Sequence, residues 1–81
     1  MFFVYILQSK KFGSYYIGSC EEVKTRLDQH NNGLVRSTKS KIPWGLVYVE
    51  SFETHIEARA RERQIKSWKK RSAVEKFFKH F

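Results

Sequence analysis

The chain is poor in residues that cross-link, punctuate or kink a protein: its 81 positions include one cysteine, one proline, one methionine and four glycines. A lone cysteine, Cys20, excludes an intrachain disulfide and fits a reducing compartment, with the cytoplasm as the natural reading. Acidic residues are also scarce, eight Asp and Glu against sixteen Lys and Arg. The longest apolar run, Phe2 to Leu7, is too short to span a bilayer, follows no basic segment and precedes no small-residue cleavage site. It reads as a strand, and no membrane association is expected. Cys20, His30, His55 and His80 lack zinc-ligand spacing, and there is no Ser, His and Asp set and no Gly-rich phosphate loop. His55 and His80 therefore read as surface residues, and Cys20 as a small buried apolar one.

Hydrophobic residues at 41% and aromatics at 16% supply enough apolar surface for a core and argue against disorder. The length fits one domain, residues 1–81, with no appended module expected. The net charge of +8 on so small a surface attracts polyanions by counterion release, which makes nucleic acid the default partner. Charge alone does not separate this from a solvated basic surface, a ribosomal contact or an anionic-membrane contact.

Aromatic and β-branched residues from Phe2 to Leu7, then Tyr15-Tyr16-Ile17 after a short polar stretch with Gly13, predict an antiparallel hairpin. A third run, Trp44 to Val49, enters through Pro43. Three Ser/Thr-x-x-Glu patterns, Ser19 to Glu22, Thr54 to Glu57 and Ser72 to Glu75, predict capped helix starts. The first helix is expected over about 21–30, ending at Asn31-Asn32-Gly33 in a left-handed cap, with loop to Ile42. The second is expected over about 55–68 and the third from about Ala73 to the end, where Val74, Phe77, Phe78 and Phe81 form an apolar stripe. The order β-β-α-β-α-α points to an α/β (α+β) fold, a small three-stranded antiparallel sheet flanked by about three helices.

Polar groups on predicted inward faces mark candidate chemistry, because burying them costs free energy unless they are paired or used. Arg26 and His30 fall three and seven residues after Val23, on the side marked by Val23 and Leu27. Glu62 interrupts the stripe Ala58, Glu62, Ile65 and needs a cation, with a plain salt bridge to Lys66 or Arg26 as the structural alternative. Alternation sends Tyr15 and Tyr16 to opposite sheet faces, so only one can join a site. Gly18 lies on the face of Tyr16, where a missing side chain leaves room for a ligand.

Phe3-Val4-Tyr5, ten residues, then Tyr16-Ile17-Gly18 resembles the two-triplet signature of the GIY-YIG nuclease superfamily. Thr25 to Gly33 resembles that family's first helix with its arginine and its His-Asn-x-Gly ending, and Glu57 to Lys66 resembles the segment bearing its metal-binding glutamate. The likeness spans nearly the whole chain and is nearest to short, stand-alone, mostly bacterial members.

The resemblance implies a divalent-metal-dependent endonuclease that hydrolyses phosphodiester bonds, on DNA rather than RNA and on single-stranded or branched forms, with roles such as DNA repair. Glu62 would bind one Mg²⁺ or Mn²⁺, Tyr5 and Tyr16 would flank the phosphate, Arg26 would contact it and His30 would assist. Tyr16 would serve as general base, or a metal-ordered water would supply the nucleophile. Gly18, Lys24, Arg36, Lys39, Lys66, Lys69, Lys70 and Arg71 are candidate nucleic-acid contacts. Ser19 stands where several relatives place a lysine, which favours the alternative of a non-catalytic nucleic-acid-binding module using the same phosphate pocket. An adaptor docking a protein through its basic helix is a third possibility.

Overall fold

A computed structural model of the chain describes residues 1–79. The strands β1 (Phe2–Ser9), β2 (Tyr15–Cys20) and β3 (Trp44–Phe52) and the helices α1 (Val23–Asn31), α2 (His55–Lys66) and α3 (Arg71–Lys79) follow the expected order β-β-α-β-α-α. The sheet runs β2-β1-β3, with both pairings antiparallel. β1 is therefore the central strand, covered on both faces, which is why it reads as a continuous apolar run rather than an alternating one. A register shift between Ile6 and Leu7 marks an irregularity in its pairing with β3.

The two faces of β1 carry two separate cores. Val4 and Ile6 pack with Ala58, Ile65 and Val74 of α2 and α3, edged by Tyr15, Ile17 and Phe78. Tyr5, Leu7 and Trp44 form the other core, edged by Tyr16, Leu27 and Ile42 beside α1. The strand tyrosines divide between the faces as alternation requires: Tyr15 meets Phe78 and Tyr16 meets His30.

Only one of the three predicted capping boxes forms. Thr54 accepts from the Glu57 amide at 3.2 Å, and the Thr54 amide donates to Glu57 Oε1 at 3.3 Å, as expected for the start of α2. The box at Ser19 fails because Ser19 is still in β2 and its hydroxyl is engaged elsewhere; α1 starts from Glu22 with no side-chain cap. The box at Ser72 fails because α3 already begins at Arg71, which puts Ser72 inside the helix. The expected loop from Gly33 to Ile42 contains a 3-10 helix, Arg36–Lys41, that packs Thr38 into the interior. Gly33 takes φ 75° as the left-handed residue that ends α1. Asn31, on the last turn, clasps the first residue of β3: Trp44 N donates to Asn31 Oδ1 at 2.6 Å, and Asn31 Nδ2 donates to Trp44 O at 3.0 Å. In the apolar stripe of α3, Val74 is buried and Phe77 and Phe78 pack on the first core, whereas Phe81, like His80, lies outside the described residues. No helix among the described residues is long and apolar enough to cross a membrane.

Candidate active site

The edge strand β2 is where the two faces of the sheet meet, and a polar cavity of about 240 Å³ opens there, lined by Tyr5, Tyr16, Gly18, Ser19, Arg26, His55, Arg59 and Glu62. Tyr5, Tyr16 and Arg26 reach it from the α1 side. Ser19 and Glu62 reach it from the α2 side.

Tyr5 reaches the edge only because its cross-strand neighbour is Gly18. A Cβ at Gly18 would sit 2.5 Å from the Tyr5 hydroxyl and 2.7 Å from its Cζ. The space beside Gly18 is thus filled by the Tyr5 phenol, which replaces the expectation that the glycine leaves room for a ligand. Below the cavity runs a buried polar chain. The Tyr5 hydroxyl lies 3.1 Å from His30 Nε2, and His30 Nδ1 lies 2.7 Å from Thr38 Oγ1. Thr38 Oγ1 donates to Val35 O at 3.3 Å, so it accepts from Nδ1–H. That assigns the Nδ1–H tautomer to His30, with Tyr5 donating to Nε2. His30 is fully buried with both ring nitrogens satisfied, which makes its burial affordable.

The electrostatics follow from burial. Burial, with the field of the Arg26 guanidinium, lowers the His30 pKa and keeps the ring neutral near pH 7. Burial pushes the Tyr5 phenol up to about 12, against the opposing pull of Arg26. Tyr5 is a neutral hydroxyl whose proton points at His30 and whose lone pairs face Arg26 and the cavity. Arg26 donates to Gln29 Oε1 at 2.9 Å and forms no salt bridge among the described residues. An arginine without a carboxylate partner beside two phenols is free to meet an anion.

Glu62 is held from both sides. Ser19 donates to its Oε1 at 2.6 Å, and Lys66, one turn on, donates to its Oε2 at 2.6 Å. Burial raises its pKa, but the bonds from Lys66 and Ser19 and the charge of Arg59 outweigh that and leave it below the ordinary carboxylate value. Of the two salt bridges weighed from sequence, the one to Lys66 forms and the one to Arg26 does not. Among the described residues no three His, Cys, Asp or Glu side chains are placed to share a metal. A single ionised carboxylate beside hydroxyls in an open polar cavity does fit a hard divalent ion that keeps most of its waters. Such an ion has to displace Lys66, whose side chain is 48% exposed and can swing into solvent.

All five residues singled out from helical faces and triplets, Tyr5, Tyr16, Arg26, His30 and Glu62, converge on this cavity or on the chain beneath it. The flanking cations do not converge with them. Lys24 lies on an apolar cleft beside Phe3 and Leu46, and Arg36 and Lys39 sit exposed on the 3-10 helix. Lys69, Lys70 and Arg71 line a separate pocket. Sequence reasoning missed His55 and Arg59, although both precede Glu62 on one face of α2 by seven and three residues, a spacing that could have revealed them. Ser19 and Thr38 left no comparable signal.

This combination of a β2-β1-β3 sheet, paired strand tyrosines and a helical arginine and glutamate on opposite faces defines a class. The sequence matches the GIY-YIG catalytic domain over residues 1–76, and the chain belongs to that family, a nuclease superfamily whose domains act on nucleic acids. Within it, the chain is 37% identical over 73 residues to a UPF0213 protein of Staphylococcus saprophyticus, covering 89% of this chain and 88% of that one. It is 42% identical over 67 residues to a UPF0213 protein of Staphylococcus aureus, covering 82% and 80% respectively. The solution structure of the UPF0213 protein BH0048 from Bacillus halodurans superposes with a TM-score of 0.59 at 32% identity, over 95% of this chain and 82% of that one. The UPF0213 names state no activity or substrate.

Proposed function

We propose that this protein is a divalent-metal-dependent endonuclease that hydrolyses phosphodiester bonds in single-stranded or branched DNA at the β2-edge cavity. The observation that carries the reading is the meeting of an ionised carboxylate, an arginine without a carboxylate partner and two tyrosine hydroxyls around one polar cavity. Glu62 is the residue that would hold one Mg²⁺ or Mn²⁺, which supplies Lewis-acid polarisation of the phosphoryl oxygen and stabilises the leaving oxyanion. Arg26 contacts the phosphate and neutralises charge that develops on it. Tyr5 acts as a fixed neutral hydroxyl: bonded to His30 and with a pKa near 12, it orients water or phosphate through its lone pairs and does not take a proton. Tyr16, at the mouth of the cavity with its ring against His30, is the phenol left to act as general base. His30 and Thr38 position Tyr5. Ser19 fixes the Glu62 carboxylate in the place where a lysine stands in several relatives, and Lys66 holds the second oxygen.

That double occupancy of Glu62 favours a second reading, a nucleic-acid-binding module that holds phosphate at Arg26 without turnover. Cleavage of labelled single-stranded, duplex and branched DNA, with Mg²⁺, with Mn²⁺ and with chelator, separates the two. Metal-dependent cleavage lost in Glu62→Ala and in Tyr16→Phe supports the nuclease. Salt-sensitive binding without cleavage under any metal supports the module, and equal cleavage by Glu62→Ala refutes the assignment of Glu62.

A further inference from the structure

A second cavity, about 270 Å³, opens on the α2–α3 side of the hairpin, and Lys66 stands in the wall between it and Glu62. Its floor is apolar and aromatic, made by Tyr15, Ile17, Ile65 and Val74. Its rim is Lys69, Lys70 and Arg71, on the short connector between α2 and the first residue of α3.

Three features distinguish this pocket from a merely solvated basic edge. None of the three rim cations forms a salt bridge among the described residues, where the ion pairs are Arg61 with Glu50, Lys66 with Glu62, and Lys79 with Glu75. The buried Oγ of Ser14, in the wall of the cavity, has no hydrogen-bond partner, although a buried hydroxyl ordinarily finds one. The rim is also held in place: Lys69 takes φ 58°, uncommon for a lysine, and the Arg71 guanidinium lies against the hairpin turn, its Nη1 3.3 Å from where a Gly13 Cβ would be. Clustered cations repel one another until an anion arrives, and an apolar floor beneath them suits the ring or sugar of the group that carries it.

We propose that this pocket binds a nucleotide of single-stranded DNA flanking the phosphate held at Glu62. Lys70 and Arg71 take its phosphate, and the Tyr15, Ile17 and Ile65 floor takes its sugar or base. The inference rests on the reading of the first cavity as a phosphate site. At about 1.5 Å per residue along α2, Lys66 lies about 6 Å beyond Glu62, so the two sites fit phosphates about one or two nucleotides apart.

Fluorescence anisotropy in chelator, with labelled oligothymidylates of rising length, tests this apart from cleavage. The variant Lys70→Gln/Arg71→Gln is compared with Arg36→Gln/Lys39→Gln, which removes the same charge on the 3-10 helix. All four side chains are exposed, so neither change disturbs the core. The first variant is expected to weaken binding about tenfold and to lower the salt slope by about 1.4, at about 0.7 per phosphate contact on a single strand, while the second stays within about twofold of wild type. An equal loss in both variants, no loss in the first, no binding by wild type, or a loss confined to oligouridylate would each overturn the proposal. Metal-free binding through this pocket by a protein that never cleaves would sustain it and refute the nuclease reading instead.

Discussion

Replacing Gly18 by alanine should strike at the contact that lets Tyr5 reach the cavity. The added methyl would lie 2.5 Å from the Tyr5 hydroxyl, 2.7 Å from its Cζ and 3.2 Å from Tyr16 Cε2, all tighter than side chains tolerate. Tyr5 is 2% exposed and walled by Leu7 and Trp44, so its ring has nowhere to swing. Overpacking of this kind costs about 1–3 kcal/mol. Dragging the hydroxyl off His30 adds about 1 kcal/mol for the lost hydrogen bond. The sum, about 2–4 kcal/mol, is a large share of the stability of about 4–12 kcal/mol expected for a chain of this length. Urea unfolding followed by far-UV circular dichroism measures it, with the slope unchanged if only the native state is affected. The mechanism also predicts coupling. Tyr5→Phe alone leaves His30 Nε2 unpaired, but in the Gly18→Ala background it removes the atom that clashes most, so the two costs should fall short of additive by about 1 kcal/mol or more. Gly18→Ala within 0.5 kcal/mol of wild type, or strictly additive costs, would refute the account of this contact.

Other consequences follow from the same geometry. Thr54→Ala should cost about 1 kcal/mol by removing a formed cap, whereas Ser72→Ala should stay within about 0.5 kcal/mol, a difference readable from two thermal melts. Because the Tyr5 pKa is raised from 10.0 to about 12 by folding, stability is complete below pH 10 and declines by about 3 kcal/mol as pH rises towards 12; Tyr5→Phe should lack that decline in alkaline urea titrations. His30 has a depressed pKa, so its contribution is present above the unfolded value near 6.5 and is lost as pH falls below it. A wild-type acid transition that begins no higher than in His30→Gln would contradict that. Lys66→Met should raise the affinity of the metal-free protein for Mn²⁺, measured by the fall in free-ion paramagnetic resonance signal, and an unchanged affinity would mean that Lys66 does not compete for Glu62.

Much of the fold was legible because its signals are local. The continuous run at β1, the turn at Gly13, the Gly33 stop and the Thr54 box are all set within a few residues, and each appears in the structure where the pattern put it. The candidate site was legible to the extent that burial conflicts with polarity: Arg26, His30 and Glu62 stood out as polar groups on inward faces. The misread positions depend on distant partners. Ser19 had a helix-cap pattern, but a carboxylate 43 residues away captured its hydroxyl and left it in the strand. Thr38 looked like loop, and its value comes from His30 on the preceding helix and from Trp44, whose Nε1 donates to the Thr38 carbonyl at 2.9 Å. Gly18 was recognised as special for the wrong reason, because periodicity places residues on a face but does not say that a phenol from the neighbouring strand fills the gap.

The most direct test of the central claim is a crystal structure of the protein with Mn²⁺, read by anomalous scattering. The account predicts an ion on the Glu62 carboxylate within the cavity faced by Tyr16, with Lys66 swung away from Oε2. Glu62 still clasped by Lys66 and Ser19, with no anomalous peak at saturating Mn²⁺, would contradict it.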